Sequence, residues 1–312
     1  MNKNLKIINI TIWVIVIIFL IGILIYGVSN GVGRGGNFFS INLRNGATSV
    51  QKEEIIQLDK CDNINLDFSS DDIIISLTDD DNVKVVQKSG NKLSEDEKFT
   101  FSKDENTINI KSGNFKKVFN IFFFGSFDNK IELSIPKKYN KSLDIKTNSG
   151  NIEVMDNLNL DKFISYQSSG DFKCRKTITA NDVNLKTSSG SIRPEDLVTK
   201  SYNLRTSSGD IVVGTLSGSG ELEASSGSIK IDYKEMGDRL KAHTSSGDIK
   251  VNIPKGISFN FYAECSSGDI STDFDVSYSS KKKNRATAKL GNGPYKEINL
   301  SANSGDIKVY QK

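Results

Sequence analysis

From residue 143 onward, apolar and polar side chains alternate in short blocks separated by a recurring break. Leu143, Ile145 and Thr147 lead to Ile152 and Val154, and Leu204 and Thr206 lead to Ile211 and Val213. Leu240, Ala242 and Thr244 lead to Ile249, Val251 and Ile253, and Ile298, Leu300 and Ala302 to Ile307 and Val309. Phe259, Phe261, Ala263 and Cys265 form a further block of the same kind. A period of two marks strands with one buried face, and the intervening Lys, Asp, Asn and Glu suit the solvent face. No sustained helical period occurs beyond the N-terminal apolar run, so the pattern predicts an all-β chain.

The break itself is nearly constant: SSGDI at 207–211, 245–249 and 266–270, with close variants at 148–152, 168–172, 188–192, 225–229 and 303–307. Its glycines are Gly150, Gly170, Gly190, Gly209, Gly227, Gly247, Gly268 and Gly305, spaced 20, 20, 19, 18, 20, 21 and 37 residues apart. Two strands per period of about 20 residues, joined by identical corners, favour a single β-solenoid of the parallel β-helix kind over a meander of hairpins. Eight to eleven coils are expected, with the long last gap read as one coil carrying an insert at 273–296. On that register the second serine (149, 169, 189, 208, 226, 246, 267, 304) continues the inward alternation and would form an internal hydroxyl ladder. Glycine follows where the chain turns at positive φ. The next position holds Asn151, Asp171, Ser191, Asp210, Ser228, Asp248, Asp269 and Asp306. A carboxylate column could hold calcium, but serine interrupts it twice, and Asp at a turn commonly accepts local N–H bonds. The turn reading is preferred: a corner, not a site.

The other strong signal is Ile10–Val28, nineteen residues without a charge, preceded by Lys3 and Lys6. Roughly 20 apolar residues cross a ~30 Å hydrocarbon core, and the run exceeds a cleaved signal peptide's apolar region. The expected organisation is a cytoplasmic segment at 1–6, an anchor at 7–28, a Gly/Asn/Ser-rich tether at 29–52 and a solenoid at 53–312. Within the solenoid, 53–135 is less regular than 136–312. The flanking lysines place the N-terminus in the cytoplasm and the solenoid outside.

Composition narrows the function. A net charge of +3 over 312 residues gives no electrostatic case for nucleic acid. Nucleophile-elbow, phosphate-loop, zinc-protease and dinucleotide motifs are missing, so no catalytic residue, metal or cofactor is assigned. His243, the one histidine, falls on the outward phase. Cys61, Cys174 and Cys265 are an odd set; the latter two take inward slots about five coils apart, too far for a disulfide, and read as packing residues. Two features exceed what a solenoid needs. One is VFNIFFFGSF, with Phe119, Phe122, Phe123, Phe124 and Phe127, either a cap over an open end or a contact with lipid or a partner. The other is the basic loop Lys281, Lys282, Lys283 and Arg285, a candidate contact for anionic wall polymer.

The TSSGDI corners, IPKK at 135–138, IPKG at 253–256 and FSSDDIIISLTDDDNVKV at 68–85 together resemble the bacterial putative-adhesin β-strand-repeat family. These are toast-rack-like domains, some of them in Lia-type envelope-stress operons. The resemblance spans about 53–312, with Asp71 where later motifs have Gly. It implies a membrane-tethered envelope solenoid without enzymatic activity and transfers no binding residues. The leading function is a non-catalytic binding or scaffold module in adhesion or envelope-stress sensing, facing a wall polymer or another envelope protein. One alternative is a regulatory partner of a sensor kinase or small membrane protein. A remote one is a wall-polysaccharide enzyme, for which Glu221 and Glu223 share an outward phase but lack a partner.

Overall fold

The computed structural model describes residues 48–114, 129–279 and 283–312. The anchor, the tether up to residue 47, Phe119, Phe122, Phe123, Phe124, Phe127, Lys281 and Lys282 lie outside the described residues. Thr48–Lys312 forms one compact unit. Its strands begin at Ser49, so residues 49–52, read as the end of the tether, belong to the sheet. Among the described residues the unit is all-β apart from a single 3-10 turn, Glu95–Glu97. Among the described residues no helix is long and apolar enough to cross a membrane.

The regular part is a stack of parallel coils. Phe172–Ser189, Ile192–Ser208, Ile211–Ser226 and Ile229–Ser246 each make one circuit, paired in register with the next. Every coil has a side before the SSG corner and a side after it. A third side is present only where Leu158, Ile178, Leu197, Leu216 and Tyr233 stack in one row. The two Ile-Pro-Lys segments mark places where the third side is skipped. Lys130–Pro136 passes directly to Ser142–Thr147, and Ile249–Ile253 to Phe259–Ser267.

The isoleucine of SSGDI explains the core. Ile131, Ile73, Ile152, Phe172, Ile192, Ile211, Ile229, Ile249, Ile307 and Ile270 make one inward column along the stack, and all are buried. Each such side chain contributes about 1.5–3 kcal/mol on burial. Opposite it runs Ile64, Leu143, Phe163, Val183 and Tyr202, continued past Gly220 by Leu240, Ile298 and Phe261. Phe163 and Phe172 meet across the interior, ring centroids 5.8 Å apart.

Stacking order departs from sequence order at both ends. The last coil carries additional strands in the expected insert but is not last in the stack: Lys296–Ser304 and Ile307–Gln311 slide between the two preceding layers. Ser304 pairs with Ser246 on one side and Ser267 on the other. The Gly247 amide donates to the Ser304 carbonyl at 2.9 Å, and the Gly305 amide to the Ser267 carbonyl at 2.9 Å. Ser277–Tyr278 and Arg285–Leu290 pair antiparallel, and Arg285–Leu290 covers the outer edge of Phe259–Ser267. At the other end, Asn63–Phe68 lies between Thr107–Lys111 and Ser142–Thr147, so the first coil in sequence is the second in the stack. Antiparallel strands Thr100–Asp104, Val83–Ser89 and Ser49–Ile56 finish that end. At both ends the last parallel strand is paired by a strand of opposite direction, Thr100–Asp104 on Thr107–Lys111 and Arg285–Leu290 on Phe259–Ser267.

The corners are confirmed, but their internal ladder is built differently from the expectation. Ser149, Ser169, Ser189, Ser208, Ser226, Ser246, Ser267 and Ser304 are exposed. Two successive residues ride the outside of the bend, so the last inward position falls two residues earlier, at the buried Thr187, Thr206 and Thr244. Their hydroxyls donate to the glycine carbonyl of the layer before: Thr187 to Gly170 at 3.3 Å, Thr206 to Gly190 at 2.8 Å and Thr244 to Gly227 at 2.8 Å. Gln167 does the same to Gly150 at 3.1 Å. Glycine is required twice over at such a corner. Gly190 has φ +149°, and a β-carbon there would sit 2.0 Å from the Gly170 carbonyl oxygen.

Candidate binding surface

The position after each glycine is a hydrogen-bond ladder running the length of the stack. Asp72 Oδ1 accepts from the Asn151 amide at 2.8 Å, Asn151 Oδ1 from Asp171 at 2.9 Å, and Asp171 Oδ1 from Ser191 at 2.9 Å. Ser191 Oγ then accepts from Asp210, Asp210 from Ser228, Ser228 from Asp248, Asp248 from Asp306, and Asp306 from Asp269. Any short side-chain acceptor serves, which is why Asp, Asn and Ser interchange. The bond from the Ser191 amide, joined by Lys173 and Arg193, holds the Asp171 carboxyl below the usual range. The Asp269 amide and Lys308 do so for Asp306. Among the described residues no cluster suits a metal ion.

Asp71 occupies the glycine position of the first corner, and its carbonyl lies where a Gly150 β-carbon would point. Its side chain is buried with both oxygens lacking a hydrogen-bond partner. Burial pushes its pKa up to about 6. The thiols are buried and free; burial raises all three, Cys174 to about 11, so they are packing groups.

The outward rows of the pre-corner side are charge-balanced. One row reads Lys146, Tyr166, Lys186, Arg205, Glu223, His243, Ser301, Glu264. Glu221 and Glu223, the remote catalytic candidates, face Arg205 at 3.6 and 3.4 Å, and Glu221 also meets Arg239 at 3.3 Å. His243 Nδ1 lies 2.7 Å from Ser301 Oγ on the open face. Arg285 of the basic loop is tied to Glu264 at 2.7 Å, whose other oxygen accepts from the Tyr262 hydroxyl at 2.5 Å. Lys283 rests over the Tyr278 ring, 5.6 Å from its centroid.

The post-corner side has a row that the sequence reading missed. In stacking order its outward residues are Glu153, Lys173, Arg193, Val212, Lys230, Lys250, Lys308 and Ser271. Five cations thus fall on six adjacent strands. Lys173, Arg193 and Lys308 touch corner carboxylates at 3.3, 3.1 and 3.0 Å, whereas Lys230 and Lys250 make no ion pair among the described residues. A depression of about 440 Å³ opens at Val212 and Gly214, bordered by Lys230, Asp232, Lys250 and Lys312. The signal was available one residue beyond the corner isoleucine, in SIR, SIK and DIK.

The model of a family described as Toastrack DUF4097 matches residues 61–310. No curated protein matches the chain. Among solved structures, a putative adhesin from Bacteroides fragilis is similar at 13% identity over 86% of this chain and 99% of that one, with TM-score 0.47. A putative lipid binding protein from Parabacteroides distasonis is similar at 17% identity over 86% and 98%, with TM-score 0.43. A putative adhesin from Parabacteroides merdae is similar at 11% identity over 85% and 97%, with TM-score 0.45. At such values these likenesses carry no weight on ligand or partner.

Proposed function

Because the chain belongs to the Toastrack DUF4097 family, we propose that it is a non-catalytic binding module of the bacterial envelope. It is held to the membrane by residues 7–28 and displays its coils outside for adhesion or for sensing the state of the envelope. The observation that carries this reading is where the reactive-looking groups go. The corner Asp and Ser side chains accept backbone amides of the next layer, and the inward Thr hydroxyls donate to glycine carbonyls. Such groups are spent on the fold, and what varies from layer to layer is the outward surface.

The test is co-sedimentation of the full chain, in neutral detergent, with isolated bacterial walls and separately with anionic phospholipid vesicles, at low and high salt. Salt-sensitive retention by either is expected. Robust turnover of wall glycans or peptides by the purified chain would overturn the reading.

A further inference from the structure

On the post-corner side, we propose that the row Lys173, Arg193, Lys230, Lys250 and Lys308 holds a linear phosphate polymer laid along the stacking axis. The inference rests on the reading of the domain as a binding module and names the class of its ligand.

Three features of the row select a thread. First, it is an outward line of one sign, running ~24 Å at a strand spacing of about 4.8 Å. Second, it is one residue wide. On its corner side lie Asp171, Asp210, Asp248 and Asp306; on its other side Glu195 and Asp232 lie with two further cations, Arg175 paired to Glu153 and Lys312 paired to Asp232. A flat anionic bilayer would meet cations and flanking acids together, whereas a chain lying on the row meets the cations first. Third, the row dips at Val212 and Gly214, where Lys312 reaches in from the far border, giving bulk somewhere to sit.

The corner carboxylates keep their charge while accepting backbone N–H groups, and Asp171, Asp210 and Asp306 already pair with Lys173, Arg193 and Lys308, so at those three positions a phosphate shares the cation with a carboxylate. Lys230 and Lys250, which make no ion pair among the described residues, are the anchors; Lys250 lies over the Tyr310 ring, 5.8 Å from its centroid. Lysine stems are flexible point charges and tolerate anions whose spacing differs from the strand spacing. Each exposed contact is worth only about 0–1 kcal/mol, so affinity must come from many contacts on one chain. Binding should therefore depend on polymer length.

The probe is fluorescently labelled long-chain inorganic polyphosphate, titrated by anisotropy into the full chain in neutral detergent at several salt concentrations. The expected result is binding that weakens with salt and is poorly competed by pyrophosphate at equal phosphate concentration. Lys230→Gln with Lys250→Gln should lower affinity about tenfold and flatten the salt dependence. Lys186→Gln with Lys241→Gln, on the pre-corner side, should change it less than about twofold. Equal losses from both pairs, no loss from either, or full competition by pyrophosphate would overturn the proposal. Lysine-dependent binding to anionic vesicles without polyphosphate binding would also overturn it, assigning the row to a membrane. Wall retention unchanged in Lys230→Gln/Lys250→Gln removes the row and leaves the binding-module reading standing; no retention on walls or vesicles together with no polyphosphate binding removes both.

Discussion

Asp71 sits where the later layers have glycine, and its carboxyl has lost water without gaining a partner. Its folded pKa, about 6, lies above the ordinary aspartate value of 3.8. The native state therefore binds this proton more tightly than the unfolded chain. The group's stabilising contribution is full below about pH 4 and is lost as pH rises through 6, a difference on the order of 2–3 kcal/mol. Asp71→Asn is expected to raise the melting temperature at pH 7.5 and to leave it nearly unchanged at pH 4; equal shifts at both would refute the assignment. The corner ladder makes a second residue-scale prediction. Asp210→Ser should cost under about 0.5 kcal/mol, because Ser191 and Ser228 already do the same work, whereas Asp210→Ala should cost about 1 kcal/mol by leaving the Ser228 amide unpaired. Thermal melts of the three proteins decide it.

A corner is the smallest element that behaves as a unit here. Its glycine is fixed by backbone on two sides: Gly209 has φ +141°, and a β-carbon would fall 2.1 Å from the Gly190 carbonyl oxygen. Gly209→Ala should cost roughly 3 kcal/mol or more. Thr206→Val, which removes the hydroxyl that bonds the Gly190 carbonyl, should cost about 1–2 kcal/mol, and Ser208→Leu, on the exposed bend, under about 0.5 kcal/mol. Denaturant unfolding would rank them; Ser208→Leu as the costliest would restore the inward-serine register. This element was largely legible in the sequence. The alternation, the glycines and the interchange of Asp with Ser all pointed to a corner that needs only a short acceptor. The phase of the serines was not legible, because alternation assigns faces only while the strand stays regular, and the bend places Ser207 and Ser208 both outside.

For the whole molecule, the all-β class and the 20-residue coil were legible, but the layer order was not. Gly268 and Gly305 carry the same local grammar, and a period says nothing about which neighbour each strand finds. The outcome interleaves both ends of the described chain into the stack, the first coil second from one end and the last coil inside the other. It also assembles the cation row. Lys250 adjoins Lys308 only because Ile307–Gln311 packs on Ile249–Ile253; in sequence order it would adjoin Ser271. The basic loop drew attention in the sequence as a cluster, while the row is spread one lysine per coil and becomes a surface only after stacking. The measurement that tests this most directly is oxidative cross-linking of exposed corner serines in the full chain. Ser246→Cys with Ser304→Cys, facing partners in register, should close a disulfide readily under mild oxidation, and Ser246→Cys with Ser267→Cys, a full layer apart, should not. The reverse result would put the coils back in sequence order and dissolve the continuous row of cations.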